Sequence, residues 1–171
     1  MPQGLTPADA RDFAARWRLA WNSRDPDEVL RLCTADVVWR DPLTNGRERG
    51  AGAVRRYLDS LWTAFPDMEM DWLGSPLCSS DAARISCRWR MTGTMRGSLE
   101  PLGFAPTGRR LDAEGIDLFE LSDGVVHAYD GFFDALGMAQ QLGLLPATGS
   151  AAERVAVAAQ RVAARVARRT R

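Results

Sequence analysis

At Met68 the hydrophobic period of this chain changes from helical spacing to two, and that change restricts the folds open to it. Before it, apolar residues recur as on helix faces. Over residues 6–22, Thr6 can cap a helix, Pro7 suits its first turn, and Phe13, Trp17, Ala20 and Trp21 fall on one stripe. A short second helix opens at Pro26, with Val29, Leu30 and Cys33 on its buried side, and Ala35-Asp36 leads into a strand ending at Asp41-Pro42. The loop Leu43–Gly52 is polar and glycine-rich. A third helix is expected over Ala53–Phe65, where Val54, Tyr57, Leu58, Leu61 and Trp62 cover one face before Pro66 stops it.

From Met68 on, Met68, Met70 and Trp72 alternate with Glu69 and Asp71. The clearest alternation is Arg84–Met95, where Ile85, Cys87, Trp89, Met91 and Met95 oppose Arg84, Ser86, Arg88, Arg90 and Thr94, as on a sheet with one dry and one wet face. A proline- and glycine-punctuated connection, Gly97–Gly108, precedes strands at about 109–121 and 125–133. The turn signal Ser122-Asp123-Gly124 joins them, and a last short helix covers about 135–142. Helices first and strands after predict an α+β domain, a curved antiparallel sheet packed against three N-terminal helices. A chain of 171 residues suits one such domain and an appendage. We divide it into 1–146 and an Ala/Arg-rich helical tail, 147–171.

Composition removes much chemistry. There is no lysine, one histidine (His127) and three scattered cysteines, Cys33, Cys78 and Cys87. A Schiff-base amine and a P-loop lysine are thus excluded, and no usual zinc site can be assembled, so neither metal nor cofactor is expected. An odd cysteine count, no leader-like N-terminus and no apolar run near the ~20 residues needed to span a bilayer predict a cytoplasmic protein without membrane attachment. The net charge is zero, yet 147–171 holds six arginines against Glu153, which leaves the rest at about −5. An acidic body of this kind has no reason to bind nucleic acid. In the tail, Arg154, Arg161, Arg165 and Arg168 run along one side with Val155, Val162 and Val166 beside them, a surface suited to an acidic partner or a second copy.

Two carboxyls stand out against this background. Strand side chains alternate, so Asp41 points with Val37 and Trp39, and Asp117 with Phe119 and Leu121. Both enter an apolar interior, where desolvation raises a carboxyl pKa and yields a base or a neutral acid working near pH 7. The competing readings are a turn aspartate before proline for Asp41 and an arginine partner for Asp117. Asp134 is expected to cap the last helix and Asp130 to meet an arginine. His127 and Tyr129 are expected to share a face with Gly131 and Phe133 as polar lining of a pocket.

The segments Gly103-Phe104-Ala105-Pro106-Thr107-Gly108-Arg109-Arg110, Gly115-Ile116-Asp117-Leu118-Phe119, Asp123-Gly124 and Gln140-Gln141-Leu142-Gly143, with Trp39-Arg40-Asp41-Pro42 and Gly50 before them, resemble the SnoaL-like polyketide cyclases. More distantly the chain resembles the ketosteroid isomerases, and both belong to the nuclear transport factor 2-like superfamily of cone-shaped α+β domains. The resemblance covers roughly 8–146 and implies a homodimer.

It also implies roles. Asp41 matches the isomerase general base, and Asp117 the protonated aspartate that hydrogen-bonds the developing oxyanion. The isomerase first-helix tyrosine corresponds to Trp17. The late aspartate of the cyclases aligns with Gly131, and their preceding histidine with Asp117. The candidate catalytic residues are therefore Asp41, Asp117, His127 and Tyr129. Trp17, Trp39, Tyr57, Trp62, Trp89, Met91, Phe119 and Phe133 are expected to build a hollow suited to flat aromatic or polycyclic ligands. The activity implied is cofactor-independent proton transfer on a hydrophobic carbonyl compound, ending in isomerisation or aldol-type cyclisation. Epoxide hydrolysis and non-catalytic small-molecule binding are the alternatives.

Overall fold

The computed structural model describes residues 4–44 and 46–169. Helix α1 spans Pro7–Ser23, and Thr6 caps it through a reciprocal box: its Oγ1 accepts from the Asp9 N–H while the Asp9 carboxylate accepts from the Thr6 N–H. The buried stripe is the expected one, Phe13, Trp17, Ala20 and Trp21. Helix α2 is a single turn, Pro26–Leu30, capped by Asp25. Cys33, expected on its buried side, instead opens strand β1 (Cys33–Arg40), because a helix this short ends before reaching it. Inside the loop predicted over 43–52 lies the two-residue strand β2, Glu48–Arg49, which pairs with β1. Helix α3 spans Ala51–Ala64 and buries Val54, Tyr57, Leu58, Leu61 and Trp62.

Sheet strands follow α3: β3 (Glu69–Trp72), β4 (Leu77–Cys78), β5 (Arg84–Thr94), β6 (Arg110–Ser122) and β7 (Val125–Phe133). Strand order is β2-β1-β7-β6-β5-β3, with β4 also on β5. The β6–β7 hairpin turns through Asp123 (φ 50°) and Gly124 (φ 81°), the two positive φ values of a turn whose twist matches that of its strands. Among the described residues all strand pairings are antiparallel except one, since β1 lies parallel to β7. Alternation tells which way side chains point and nothing about which strand a given strand meets; α3 and strands β2 to β6 separate β1 from β7 in the chain, so no hairpin fixes their relative direction.

The outer face of the curved, unclosed sheet carries the arginines. Arg84 meets Glu120 at 3.0 Å, Arg88 meets Glu114 at 2.5 Å, Arg90 meets Asp112 at 2.5 Å, and Arg40 meets Asp130 at 2.5 Å, as expected for Asp130. Such exposed pairs contribute about 0–1 kcal/mol each. The inner face carries the core, closed by α1 and α3. Helix α4 (Ala135–Gln141) is capped as expected by Asp134, whose Oδ1 accepts from the Gly137 N–H at 2.8 Å, and contributes buried Met138. Helix α5 (Ala151–Arg169) starts at Ser150, whose Oγ accepts from the Glu153 N–H. Its Ala156, Val157 and Gln160 face Leu136, Gln140 and Leu145 across a shallow groove, while Val155 and Val162 remain largely exposed.

Candidate active site

Asp41 stands one residue past β1 and is 7% exposed. Pro42 ends the strand and the chain turns back on the carboxylate: Oδ1 accepts from the N–H groups of Leu43 (2.8 Å) and Thr44 (3.2 Å). The turn reading is thus correct for one oxygen. The other has a different task. Oδ2 accepts from the Trp39 indole N–H at 3.1 Å and from the Tyr57 hydroxyl at 2.6 Å. Burial pushes the Asp41 pKa up, opposed by these four hydrogen bonds.

Asp117 repeats the arrangement two strands along the same sheet. It lies mid-strand in β6, facing Cys87 on β5 and Gly131 on β7, and is 2% exposed. Its Oδ1 accepts from the Trp89 indole N–H at 2.6 Å and from the Tyr129 hydroxyl at 2.8 Å. Among the described residues no arginine pairs with it, because alternation puts the arginines of β5 on the outer face. Desolvation moves its pKa up to about 7, with the hydrogen bonds from Tyr129 and Trp89 acting downward and the Asp41 charge upward. Each buried carboxyl is therefore held by one indole, which can only donate, and one phenol, which can donate or accept.

Two glycines make this possible. Trp89 is paired with Gly115 across the ladder, and its indole occupies the space beside that glycine to reach Asp117 two residues further along β6. A Cβ at residue 115 would stand 2.2 Å from the indole Cζ2 and 2.6 Å from the Phe132 carbonyl oxygen. Gly115→Ala is accordingly expected to cost about 1–3 kcal/mol, the range for overpacking, and to break the Trp89–Asp117 bond. Urea denaturation and the Trp89 indole proton signal check this; unchanged stability with the signal still protected would remove the steric role. At Gly131 a Cβ would lie 2.8 Å from the Tyr129 hydroxyl and 3.1 Å from the Asp41 Cβ. The room a side chain would take at residue 131 is thus filled by the phenol of one carboxyl unit and the stem of the other.

An apolar cavity of about 40 Å³ lies between α1, α3, α4 and the inner sheet face. Asp41, Tyr57, Tyr129, Trp89, Met91 and Phe133 line it, all expected. Asp117 does not line it, because Tyr129 and Trp89 stand between. Trp17, Trp39 and Phe119 do not either. They form a packed aromatic layer deeper in the cone, where Trp17 stacks on Trp39 (6.0 Å) and Tyr129 (6.1 Å) and meets Phe119 edge-on (4.7 Å). Trp62 packs edge-on to Trp21 at 5.6 Å, outside the lining. Wall residues not anticipated include Trp21, Phe65, Met68, Leu111 and Met138. Trp21 lies one turn after Trp17 on the same stripe, and the spacing alone does not rank them by depth. A space this small holds a water rather than a ring, so a ligand must displace side chains, and the unbranched thioethers of Met68, Met91 and Met138 are suited to yield.

His127 is the clear misplacement. Along β6 the step from Glu120 to Leu121 matches a step from Ala128 to Val126 on β7, so His127 is an extra, bulged residue. The bulge breaks the alternation: Tyr129 and Val126 point inward, while His127 is 51% exposed and faces Glu120 at 3.7 Å. Among the described residues no group of three or more His, Cys, Asp or Glu side chains could hold a metal ion, and no helix is long and apolar enough to cross a membrane.

Helices closing one face of a curved, unclosed sheet over a cavity define a nuclear transport factor 2-like α+β protein. Within that class the chain belongs to the SnoaL-like polyketide cyclase family, whose model matches residues 11–142. No curated protein matches the sequence. Among solved structures, TsrD from Streptomyces laurentii is 23% identical with a TM-score of 0.69, covering 82% of this chain and 99% of its own. AclR from Streptomyces galilaeus, a candidate hydroxylase, is 22% identical with a TM-score of 0.69, covering 96% of this chain and 98% of its own. IdmH from Streptomyces antibioticus, a candidate polyketide cyclase, is 22% identical with a TM-score of 0.61, covering 81% and 99%. Likeness at this level establishes the fold, and family membership supports an enzymatic role of the cyclase or isomerase type.

Proposed function

We propose that this protein is a cofactor-independent acid–base enzyme that enolises hydrophobic, carbonyl-bearing polycyclic or polyketide-like compounds and carries them to an isomer or an aldol-type cyclised product. The observation that carries the reading is the pair of buried carboxyls, each clasped by an indole and a phenol: Asp41 at the wall of an apolar cavity, and Asp117 one shell behind it, held by Tyr129 and Trp89, which line that wall. Asp41 is the base. Its position is set by the turn at Leu43 and Thr44, and it takes the proton from the carbon beside the substrate carbonyl; the C–H electron pair moves into the enolate. Tyr129 is the group that meets the developing oxygen, since it lines the cavity and Asp117 does not. Asp117, protonated below about pH 7, can donate to the Tyr129 oxygen and turn the phenol proton toward the enolate. Asp117 is thus a positioning residue. The apolar walls exclude water while the enolate is reprotonated elsewhere by Asp41 or attacks a second carbonyl of the same molecule.

The test is uptake of solvent deuterium into 2-tetralone, a flat ketone with acidic C–H groups next to its carbonyl, followed by proton NMR. Wild-type protein is expected to accelerate exchange above buffer. Saturable binding without acceleration would instead favour a non-catalytic binding protein.

We further propose that 147–171 is separable from this chemistry and contacts an acidic surface, such as the body of a second copy in a homodimer, through its arginine side. An alanine-rich helix of this length is marginal alone in water and needs a docking surface to stay ordered. Deleting 150–171 is expected to leave deuterium exchange and far-UV circular dichroism nearly unchanged while weakening self-association in a salt-sensitive way. Exchange abolished in a folded, still associated truncation would show that the tail helps close the cavity.

A further inference from the structure

The indole N–H groups of the six tryptophans divide into two sets. Those of Trp39, Trp72 and Trp89 donate to Asp41, to the Ala14 carbonyl and to Asp117. Those of Trp17, Trp21 and Trp62 are buried and have no hydrogen-bond partner among the described residues. Leaving a buried donor unpaired costs about 1–3 kcal/mol, so each calls for a reason.

Their surroundings separate them. Trp17 is enclosed by the rings of Phe13, Trp39, Phe119 and Tyr129, where no ligand reaches. Trp62 borders a shallow outer groove with Arg24 and Pro66. Trp21 is the one of the three that lines the cavity holding Asp41, Tyr57 and Tyr129. Its ring is fixed by stacking on Trp39 (centroids 6.3 Å apart, planes 9° from parallel), the same ring that holds Asp41. The other polar groups of the wall have tasks already: Tyr57 and Trp89 donate to Asp41 and Asp117, and Tyr129, which donates to Asp117 in the empty site, is the enolate donor of the proposed mechanism. The Trp21 N–H is closed off from the cavity as it stands, and a ligand that displaces the pliable wall side chains can bring an oxygen to this uncommitted donor.

We propose that Trp21 Nε1–H donates a hydrogen bond to a carbonyl oxygen of the bound substrate and selects oxygenated ring systems over hydrocarbons of the same shape. The assignment rests on reading the cavity as the substrate pocket. It gives the substrate a second polar contact beside the one at Tyr129, on the α1 side of the site.

The experiment is a titration of ¹⁵N-labelled wild-type protein with 2-tetralone and with tetralin, which has the same two rings and no carbonyl, observing the indole N–H signals. Trp21→Phe assigns the Trp21 signal. 2-Tetralone is expected to move that signal downfield and protect it from solvent exchange, and tetralin to bind without doing so. Trp21→Phe should bind 2-tetralone about tenfold more weakly, the worth of one hydrogen bond, and tetralin equally well. If 2-tetralone shifts Trp89 and other wall residues while the Trp21 signal stays put, the donor assignment is wrong and the pocket reading stands. If neither compound disturbs any wall residue, the pocket reading fails and the proposal with it. Should Trp21→Phe not fold, triple-resonance spectra of the wild-type protein assign the Trp21 signal and its titration decides alone.

Discussion

Asp41→Asn is expected to lower deuterium uptake into 2-tetralone by about 10²–10⁴-fold, the usual contribution of a positioned general base. The variant should still fold. Its amide oxygen can keep the turn bonds from Leu43 and Thr44, and the Tyr57 hydroxyl can rotate to accept from the new NH₂ group. The Trp39 N–H then faces another donor, which costs some stability and leaves the architecture intact. Loss of exchange in a folded protein therefore reads as loss of the base. Near wild-type exchange would reduce Asp41 to a turn residue and remove the proposed mechanism.

Asp117→Leu should be the most damaging single change to stability, about 2–6 kcal/mol at pH 5, because it strands two buried donors, the Trp89 indole and the Tyr129 hydroxyl. The pH dependence has a definite sign. The folded pKa of about 7 lies above the ordinary aspartate value of 3.8, so between these values the folded protein binds a proton that the unfolded chain has released. The stability this group contributes is complete below about pH 4 and is lost at about 1.4 kcal/mol per pH unit as pH rises toward 7, with no further change above. The advantage of wild type over Asp117→Leu should accordingly shrink by roughly 2–3 kcal/mol between pH 5 and pH 7. Chemical denaturation of both proteins at several pH values measures it. A difference that grows with pH would mean that Asp117 is held as a carboxylate, and a donor role through Tyr129 would be untenable.

Local signals in the chain were sufficient for the elements and for the inward direction of both carboxyls. Thr6 with Asp9, Asp134 with Gly137 and the Asp123-Gly124 turn each depend on groups within four residues, so neighbours in sequence determine them. The buried set Val37, Trp39 and Asp41 follows from a pleat of period two, as does Asp117 with Phe119. Resemblance to a family extended this to the cone and to the two aspartates as a pair.

Tertiary structure decided everything that depends on distance in sequence. The Trp89 indole reaches Asp117 across 28 residues and Tyr57 reaches Asp41 across 16, through strand register and the docking of α3, neither of which alternation encodes. A bulge that adds one residue to β7 turned His127 outward and kept Tyr129 inward, and nothing in the local pattern marks where a ladder slips. The same applies to α1: Trp17 and Trp21 share a stripe, but how far the helix sits along the cone put one in closed core and the other at the cavity wall. Direction is a property of the backbone at each residue and can be read from the chain, whereas partners and depth belong to the packing of whole elements and exist once the fold is assembled.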